Sequence, residues 1–342
     1  MHEEGKIILH NGREVEIFLH SLNPDKLATG GELFELSDGR LLVTGATRWV
    51  TSDYRTFEPY PHEGDIGGAN FLRLNDGRVM CIFSKQVENI YGNHLKAADF
   101  YCAFSDDECK SFHDPVPIST DGERLYLMNN RLKRLSDGRI ALCISIHPNC
   151  LLEDTKNFEA AGWVALFWSE DEGQTWKKGK WLEASVVDQL CEPTLCEMPD
   201  GHLKMLARTG KGYLYQTDSY DGGMTWCTEY PTTLKSPVAP YNFAYDKYSG
   251  RYIVCWDDAF PGKPHQMPRT PIRVAVSDDG ENWETILTLG NNPDGCYGYP
   301  AFHFAEDEIH ISYYINPGKV WENNRMHFAA IPRSVHEKLA RR

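Results

Sequence analysis

The sequence predicts an all-β chain folded as a six-bladed β-propeller, and two kinds of internal repeat carry this prediction. The first repeat is a turn between two apolar runs, and the second is a short box that follows most of these turns. Fixed-period repeats of short strands are typical of propellers, in which each repeat forms one unit of the fold. Six turns in 342 residues leave about 57 residues for each repeat, which suits a four-stranded blade.

The turn repeat has the pattern of a β-hairpin. Asp-Gly between β-type runs is a hairpin signal, because glycine readily adopts positive φ. Six copies, of which the last two are weaker, lie at 36–40, 74–78, 135–139, 198–202, 248–251 and 305–308. The sequence therefore predicts six hairpins.

The box repeat has the pattern Ser-x-Asp-x-Gly-x-Thr-Trp, known as an Asp-box. Two full copies lie at 169–176 and 219–226, and degenerate copies lie at 105–112, 277–283 and 51–57. The aspartate accepts backbone N–H bonds, the glycine takes a special φ, and the aromatic ring packs into the blade. These features predict a structural role for the box, as a tight turn between strands.

With two full Asp-boxes, residues 28–331 resemble the sialidase (neuraminidase) superfamily, whose members are six-bladed propellers. The resemblance implies a single propeller over 1–331. A strand over residues 6–19 would complete the sixth blade and close the ring, which removes an exposed sheet edge. Residues 332–342 would form a short basic tail.

Net charge, the N-terminal sequence and the cysteine spacing predict which ligands and which cellular compartment the protein has. A net charge of −14 with no basic stretch argues against a nucleic-acid partner, so an anionic ligand needs a local arginine cluster. The N-terminus lacks a signal-peptide pattern and no membrane-spanning run is present, so we expect a cytoplasmic protein without a membrane partner. Ten cysteines without a CxxC pair predict reduced thiols, and we expect no metal or other cofactor.

The hairpin turns give a common register. Eight residues before each turn aspartate or its equivalent stand Gly30, Gly68, Asn129, Glu192, Tyr241 and Tyr299. Eight residues after the turn aspartates, the apolar runs become polar, as in 46–48, which ends at Arg48, and at Arg208. Residues equidistant from a hairpin turn lie side by side, so Glu192 and Arg208 are predicted neighbours. This end of the blades, with Asn129 and Tyr241, is the predicted site-bearing face.

The resemblance to sialidases assigns roles on that face. In that family three arginines hold the substrate carboxylate, a tyrosine attacks the anomeric carbon, a glutamate activates the tyrosine, and an aspartate is the acid and base. The matching positions are Glu192, Tyr299, Arg208 and Arg269, with Arg273 as a substitute for Arg269. A neutral phenol suits this chemistry, because a carboxylate nucleophile would be repelled by the substrate's own carboxylate.

Two family positions depart from this pattern. The first arginine is absent from 29–32 (Thr-Gly-Gly-Glu), and Arg48 across the same hairpin is the alternative cation. The acid is either Asp53, whose surroundings also resemble a vestigial Asp-box, or Asp65. Long loops at about 85–98, 147–162 and 257–271 carry His94, His147 and His265, which are candidates for substrate contacts.

Three functions fit these residues. The first is a retaining exo-glycosidase for a terminal acidic sugar, sialic acid or a relative. The second is a uronate-directed lyase, in which His94 or His147 near Tyr299 would remove a proton beside a neutralised carboxylate. The third is a carbohydrate-binding propeller without catalysis, because a fold alone does not prove activity.

Overall fold

The computed structural model describes residues 5–22, 31–45, 47–64, 70–87, 97–120, 125–146, 162–187, 189–259, 269–316 and 325–342. Within these ranges the regular structure consists of 27 β-strands and two 3-10 helices, Arg333–Val335 and Glu337–Leu339, near the C-terminus. No helix in this part of the chain is long and apolar enough to cross a membrane.

The strands form six sheets that follow one another along the chain. The first seven strands are β1 (Lys6–Leu9), β2 (Glu14–Glu16), β3 (Phe18–Leu22), β4 (Leu33–Glu35), β5 (Leu41–Thr44), β6 (Arg48–Thr51) and β7 (Glu58–Pro59). The next nine are β8 (Phe71–Arg73), β9 (Val79–Val87), β10 (Ala97–Ser105), β11 (His113–Ser119), β12 (Leu125–Tyr126), β13 (Lys133–Arg134), β14 (Ile140–Ile146), β15 (Trp163–Ser169) and β16 (Lys177–Lys178). The last eleven are β17 (Cys191–Glu197), β18 (Leu203–Arg208), β19 (Tyr213–Ser219), β20 (Tyr230–Lys235), β21 (Asn242–Asp246), β22 (Arg251–Asp257), β23 (Ile272–Ser277), β24 (Glu284–Gly290), β25 (Cys296–Phe304), β26 (Glu308–Asn316) and β27 (Arg325–Pro332).

The six predicted hairpin turns are confirmed. In the first, the Leu36 N–H donates to the Arg40 carbonyl over 2.8 Å, and the Gly39 N–H donates to the Leu36 carbonyl over 3.0 Å. Gly39 has φ +83°, the conformation for which glycine is favoured. The other five turns join β8 to β9, β13 to β14, β17 to β18, β21 to β22 and β25 to β26.

The chain divides into two compact units. The first unit comprises Met1–Tyr60, Gly212–Leu214 and Thr232–Arg342, and the second comprises Pro61–Lys211 and Tyr215–Pro231. The first unit holds the first sheet (β4-β5-β6-β7), the fifth (β2-β1-β24-β23-β22-β21) and the sixth (β25-β26-β27-β3). The second unit holds the second sheet (β11-β10-β9-β8), the third (β12-β14-β15-β16, with β13 on β14) and most of the fourth (β17-β18-β19-β20).

The N-terminal segment divides between two sheets, whereas the sequence predicts one strand over residues 6–19. β3 pairs with β27 and completes the sixth sheet, while β1 pairs with β24 and extends the fifth. A turn at Gly12, which has φ +83°, pairs β2 back onto β1, so the chain leaves the fifth sheet only after β2, at Ile17. Ile7 and Leu9 then reach the apolar core between the fifth and sixth sheets.

The C-terminal tail is attached to the fifth sheet by a buried ion pair. The Arg333 guanidinium donates to both carboxylate oxygens of Asp246, over 2.5 and 2.9 Å. Leu339 joins the core that the fifth and sixth sheets share. A separate apolar core in the second unit joins the second and third sheets through residues such as Met80, Phe104 and Leu142.

Candidate functional site

The residues predicted for the site fall in both compact units. Glu192, Arg208 and Asn129 lie in the second unit. Tyr299, Arg269, Arg48, Tyr241 and Asp53 lie in the first.

Glu192 lies in a β-bulge of the fourth sheet. Cys191 pairs with Arg208 and Thr194 pairs with Leu206, so Glu192 and Pro193 together lie opposite the single residue Ala207. Glu192 has φ +49°, which is unusual for a residue other than glycine. A following proline also disfavours helical φ and ψ, so the conformation is costly on two grounds.

The bulge turns the Glu192 side chain toward Arg208. The Arg208 Nη1 donates to the Glu192 carboxylate in a short hydrogen bond, and the two residues are 4% and 6% exposed. The prediction that they are neighbours is confirmed, although the bulge moves the backbone partner of Arg208 from Glu192 to Cys191. The result is a buried ion pair, in which each charge compensates the other.

Side chains from the preceding sheets hold the backbone around these positions. The Glu192 N–H donates to Ser145 Oγ over 3.2 Å. In the third sheet, Asn130 has φ +58°, next to the predicted site residue Asn129. Asn70 donates to the Met128 carbonyl over 2.8 Å and accepts from the Arg131 N–H over 2.6 Å, so it spans this irregular segment.

Tyr299 lies in a second bulge with the same geometry. Gly298 pairs with Tyr314 and Ala301 pairs with Ser312, so Tyr299 and Pro300 lie opposite a single residue of β26. Tyr299 has φ +50° and is also followed by proline. Its side chain is half-buried, whereas Tyr297 is 3% exposed and lies in the apolar core. The choice of Tyr299 over Tyr297 as the presented tyrosine agrees with this difference.

Tyr314 and Arg269 lie behind Tyr299. The rings of Tyr299 and Tyr314 have centroids 5.3 Å apart, and the Arg269 Nη1 donates to Tyr314 Oη over 3.1 Å. The Tyr314 ring also lies close to the backbone at Gly298. A Cβ at that position would be 2.8 Å from the ring, so a glycine is needed there. Burial raises the pKa of Tyr314 far above its ordinary value, although the Arg269 charge opposes the shift. The Tyr314 hydroxyl therefore stays neutral where its ring packs beside that of Tyr299.

A buried acid lies beside Arg269. Asp257 is 1% exposed, and neither carboxylate oxygen has a hydrogen-bond partner among the described residues. Burial raises its pKa well above the ordinary value, and the charge of Arg269 opposes that shift. Arg273, the substitute for Arg269, instead pairs with Asp258 in a short salt bridge.

In the first sheet Arg48 is buried, whereas the position of Gly31 has no room for an arginine side chain. Arg48 is 4% exposed and begins β6, where it pairs with Thr44 at the end of β5, so it lies on the third strand of this sheet and not on the predicted β4–β5 hairpin. At Gly31 a Cβ would lie 1.8 Å from the Thr44 carbonyl oxygen, which leaves no room for an arginine. Tyr241 is fully buried immediately before β21.

Asp53 belongs to an Asp-box turn. Its Oδ1 accepts the N–H groups of Arg55 and Thr56 over 2.8 and 2.7 Å, and its Oδ2 accepts from the Thr56 hydroxyl over 2.9 Å. Asp171 and Asp279 bind their own turns in the same way. These hydrogen bonds hold the pKa of Asp53 well below its ordinary value. A carboxylate that stays ionised is a poor proton donor, so the structure assigns Asp53 to the turn rather than to acid catalysis.

Several predicted residues lie outside the described part of the chain, namely Asp65, His94, His147, His265, Gly30 and Gly68. The remaining, described residues contain no group of three or more His, Cys, Asp or Glu side chains that could hold a metal ion.

Sequence reasoning misses Asn242, Tyr314, Ser145 and Asn70. Asn242 follows the predicted position Tyr241, and a polar residue that precedes the apolar pair Phe243–Ala244 in a mostly buried strand is the signal that could have identified it. No comparable signal marks Tyr314, because its position opposite Gly298 depends on the bulge.

A family model described as BNR repeat-like domain matches residues 71–311, which is more than half of the 342 residues. The chain belongs to the BNR repeat-like domain family. This BNR repeat-like protein is 25% identical over 154 residues to the anhydrosialidase of Macrobdella decora. That match covers 44% of this chain but only 19% of the relative.

Solved structures support the same assignment of the fold. A protein of unknown function from Dyadobacter fermentans superposes with a TM-score of 0.68 at 17% identity, covering 96% of this chain and all of that one. A Trypanosoma rangeli sialidase superposes with a TM-score of 0.63 at 13% identity, covering 96% of this chain and 58% of that one. The BNR repeat-like chain therefore has the six-bladed β-propeller fold of the sialidases, and the predicted fold and superfamily are confirmed.

Proposed function

We propose that the chain is a sialidase-like exo-glycosidase that releases a terminal acidic sugar through a covalent bond to Tyr299. The observation that carries this proposal is the pair of matching bulges, at Glu192 and at Tyr299. Strained backbone at a non-glycine residue costs about 1–3 kcal/mol and is concentrated at functional sites. Glu192 and Tyr299 are also the two residues to which the sialidase resemblance gives the central roles.

The proposed reaction has two steps. Glu192 takes the Tyr299 phenol proton as the phenol oxygen attacks the anomeric carbon, and the bond from that carbon to the leaving oxygen breaks. A general acid protonates the leaving oxygen, and Asp65 is the candidate left for this role once Asp53 is assigned to its turn. The ionised Asp65 then takes a proton from a water molecule, or from a hydroxyl of the sugar itself, as that oxygen displaces Tyr299 from the anomeric carbon, and the Tyr299 phenolate regains its proton from Glu192.

The charge distribution supports an anionic sugar. A chain with a net charge of −14 repels anions in general, so binding needs local cations. Arg208, Arg269 and Arg48 are buried arginines at predicted positions of the site. We propose that they supply the positive field for the substrate carboxylate, with Arg48 acting for the absent first arginine.

The test is a turnover screen with aryl glycosides of sialic acid, glucuronic acid and neutral sugars. Free sugar, anhydro-sugar and unsaturated product are each quantified, because the Macrobdella decora relative is named an anhydrosialidase. The parent should release aryl group from a sialoside, and Tyr299→Phe should fall to the assay background. Tyr297→Phe is the matched control, because the hydroxyl of this core tyrosine only accepts a backbone N–H from Asn292, over 3.2 Å.

Other results would redirect the assignment. Unsaturated product from a uronate, without release from any sialoside, would favour the lyase. Equal activity of the parent and Tyr299→Phe would refute the tyrosine nucleophile. Binding of a sugar without turnover would indicate a carbohydrate-binding propeller.

A further inference from the structure

The bulge at Tyr299 includes the backbone carbonyl of the buried Pro300. Pro300 is buried, and the regular β25–β26 pairing is interrupted between Gly298 and Ala301. A buried carbonyl without a hydrogen bond is costly, and native structures almost always satisfy it. The group that satisfies the Pro300 carbonyl therefore also helps to hold the bulge.

Asn242 donates a hydrogen bond to the Pro300 carbonyl. It is fully buried at the start of β21, and its Nδ2 donates to the Pro300 carbonyl over 3.1 Å. Its Oδ1 accepts the N–H of Phe243 over 2.8 Å. Because the oxygen of the side-chain amide is held by Phe243, the amino group is directed at Pro300.

The same arrangement recurs at the other irregular strands. Asn70 in the second sheet bonds the backbone of the third sheet on both sides of Asn130, and Ser145 in the third sheet accepts the N–H of Glu192 in the fourth. Asn242 in the fifth sheet bonds Pro300 in the sixth. In each case a polar side chain of one sheet fixes the positive-φ segment of the next, which a purely local turn would not require.

We infer that Asn242 is a positioning residue, which holds the Pro300 carbonyl so that the bulge presents Tyr299 in one orientation. A left-handed backbone costs about 1–2 kcal/mol for a residue with a Cβ, so Tyr299 would adopt other conformations without this bond. The effect of Asn242 on catalysis rests on the proposed function, whereas its effect on the conformation of Tyr299 does not.

Two variants separate the donor from the rest of the side chain. Asn242→Asp keeps an oxygen for the Phe243 N–H, but its carboxyl can donate to Pro300 only when it is protonated. Asn242→Leu has a similar volume and removes both bonds at every pH. Thr232→Val is the matched control, because the buried Thr232 hydroxyl also donates to a backbone carbonyl, that of Leu214, over 2.8 Å.

The first readout is fluorine NMR with 4-fluorophenylalanine in place of Tyr299. The ring of this probe does not titrate, so a change in its spectrum with pH reports on its surroundings. The parent and Thr232→Val should give one sharp resonance at pH 5 and pH 7. Asn242→Leu should give several or broadened resonances at both pH values. Asn242→Asp should give the parent spectrum at the lower pH and the altered one at the higher. A single parent-like resonance in both Asn242 variants at both pH values would overturn the inference.

The second readout is steady-state kinetics on proteins with Tyr299 intact. Misplacement by about 1 Å can cost up to about 10²-fold, so both Asn242 variants should lose kcat by about 10–10²-fold at pH 7 with little change in KM. Asn242→Asp should regain activity relative to the parent at pH 5. Unchanged kcat in both variants, in a parent that turns over a sialoside, would exclude the positioning role in catalysis. A parent without activity on any sugar would refute the proposed function alone, because the fluorine spectra still decide the conformational claim.

Discussion

The bulges at Glu192 and Tyr299 have the same backbone but opposite surroundings. In both, two residues lie opposite one, the first has φ near +50° and a proline follows. Glu192 turns its carboxylate into a buried ion pair with Arg208, so its side chain compensates part of the backbone strain. Tyr299 stays half-buried above the neutral Tyr314. Its strained backbone is held by a neighbouring strand, through the hydrogen bond from Asn242 to the Pro300 carbonyl.

The largest expected difference between the two regions concerns their arginines. Arg208→Met leaves the Glu192 carboxylate buried without its cation, which should lower the free energy of unfolding by about 3–5 kcal/mol. Arg269→Met removes a donor to the neutral hydroxyl of Tyr314 and the charge beside Asp257; because burial raises the pKa of Asp257, that acid can stay protonated, so the cost should be smaller, about 1–3 kcal/mol. Urea unfolding of both variants measures the two losses.

The control for this comparison is the double variant Glu192→Gln/Arg208→Met. It removes both charges, so it should be more stable than Arg208→Met alone. An Arg269→Met variant that loses as much stability as Arg208→Met would show that the two bulges rely on charge to the same degree.

The second difference concerns acid stability. Burial lowers the pKa of His327 to about 4, and the charge of Arg325 adds to the shift. Since the unfolded chain binds a proton near pH 6.5, stability is lost as the pH falls from about 6.5 towards 4, by about 2 kcal/mol at pH 5. His303, also in the first unit, has a pKa lowered by burial to about 4 and should act in the same direction. In the second unit, hydrogen bonds to Asp114 and Asp106 raise the pKa of His113. Protonation of His113 therefore favours the folded state as the pH falls, opposite to the effect of His327.

Hydrogen exchange at pH 7 and pH 5, corrected for intrinsic rates, should therefore show protection lost mainly in the first unit. His327→Leu carries no titrating group at this position, so its unfolding free energy should fall less steeply between the two pH values than that of the parent. An identical pH dependence for the parent and His327→Leu would rule out this histidine as a cause.

The smallest expected change in the free energy of unfolding comes from a substitution of Tyr299 itself. Tyr299→Asn places a residue that tolerates positive φ in the bulge, so relief of backbone strain should offset the lost ring contact with Tyr314. The free energy of unfolding should change by less than about 1 kcal/mol. Tyr297→Asn, two residues earlier, should cost about 3–5 kcal/mol because Tyr297 lies in the core. A loss of that size at Tyr299 would mean that the residue serves packing, and thermal or urea unfolding distinguishes the two cases.

The repeats made most of the fold predictable. Asp-Gly turns identified the hairpins, because few residues accept positive φ there, and counting from the turns made Glu192 and Arg208 neighbours. The count was one residue off for the backbone partner of Arg208, since a bulge adds a residue that no sequence pattern announces. The same shift places Tyr314, rather than a residue of the predicted set, against Gly298.

At Asp53 the sequence alone could not decide between two roles. Its sequence surroundings fitted both an acid and a vestigial Asp-box, and only the hydrogen bonds to Arg55 and Thr56 decided for the turn. The N-terminal segment is similar, since a strand pattern over residues 6–19 does not say which sheet edge it will meet. In the structure, β1 and β3 meet edges of different sheets.

The choice of Glu192 and Tyr299 came from the resemblance to sialidases, whereas the sequence by itself determined the all-β class, the six hairpins and the Asp-box turns. These features depend on local backbone preferences and on alternation along a strand, which neighbouring residues encode. Only the tertiary structure decided that both residues occupy strained bulges, that Arg208 and Arg269 have different partners, and that Asn242 fixes the Pro300 carbonyl. Those features depend on contacts between strands distant in the chain, because a strained segment persists only where its surroundings hold it.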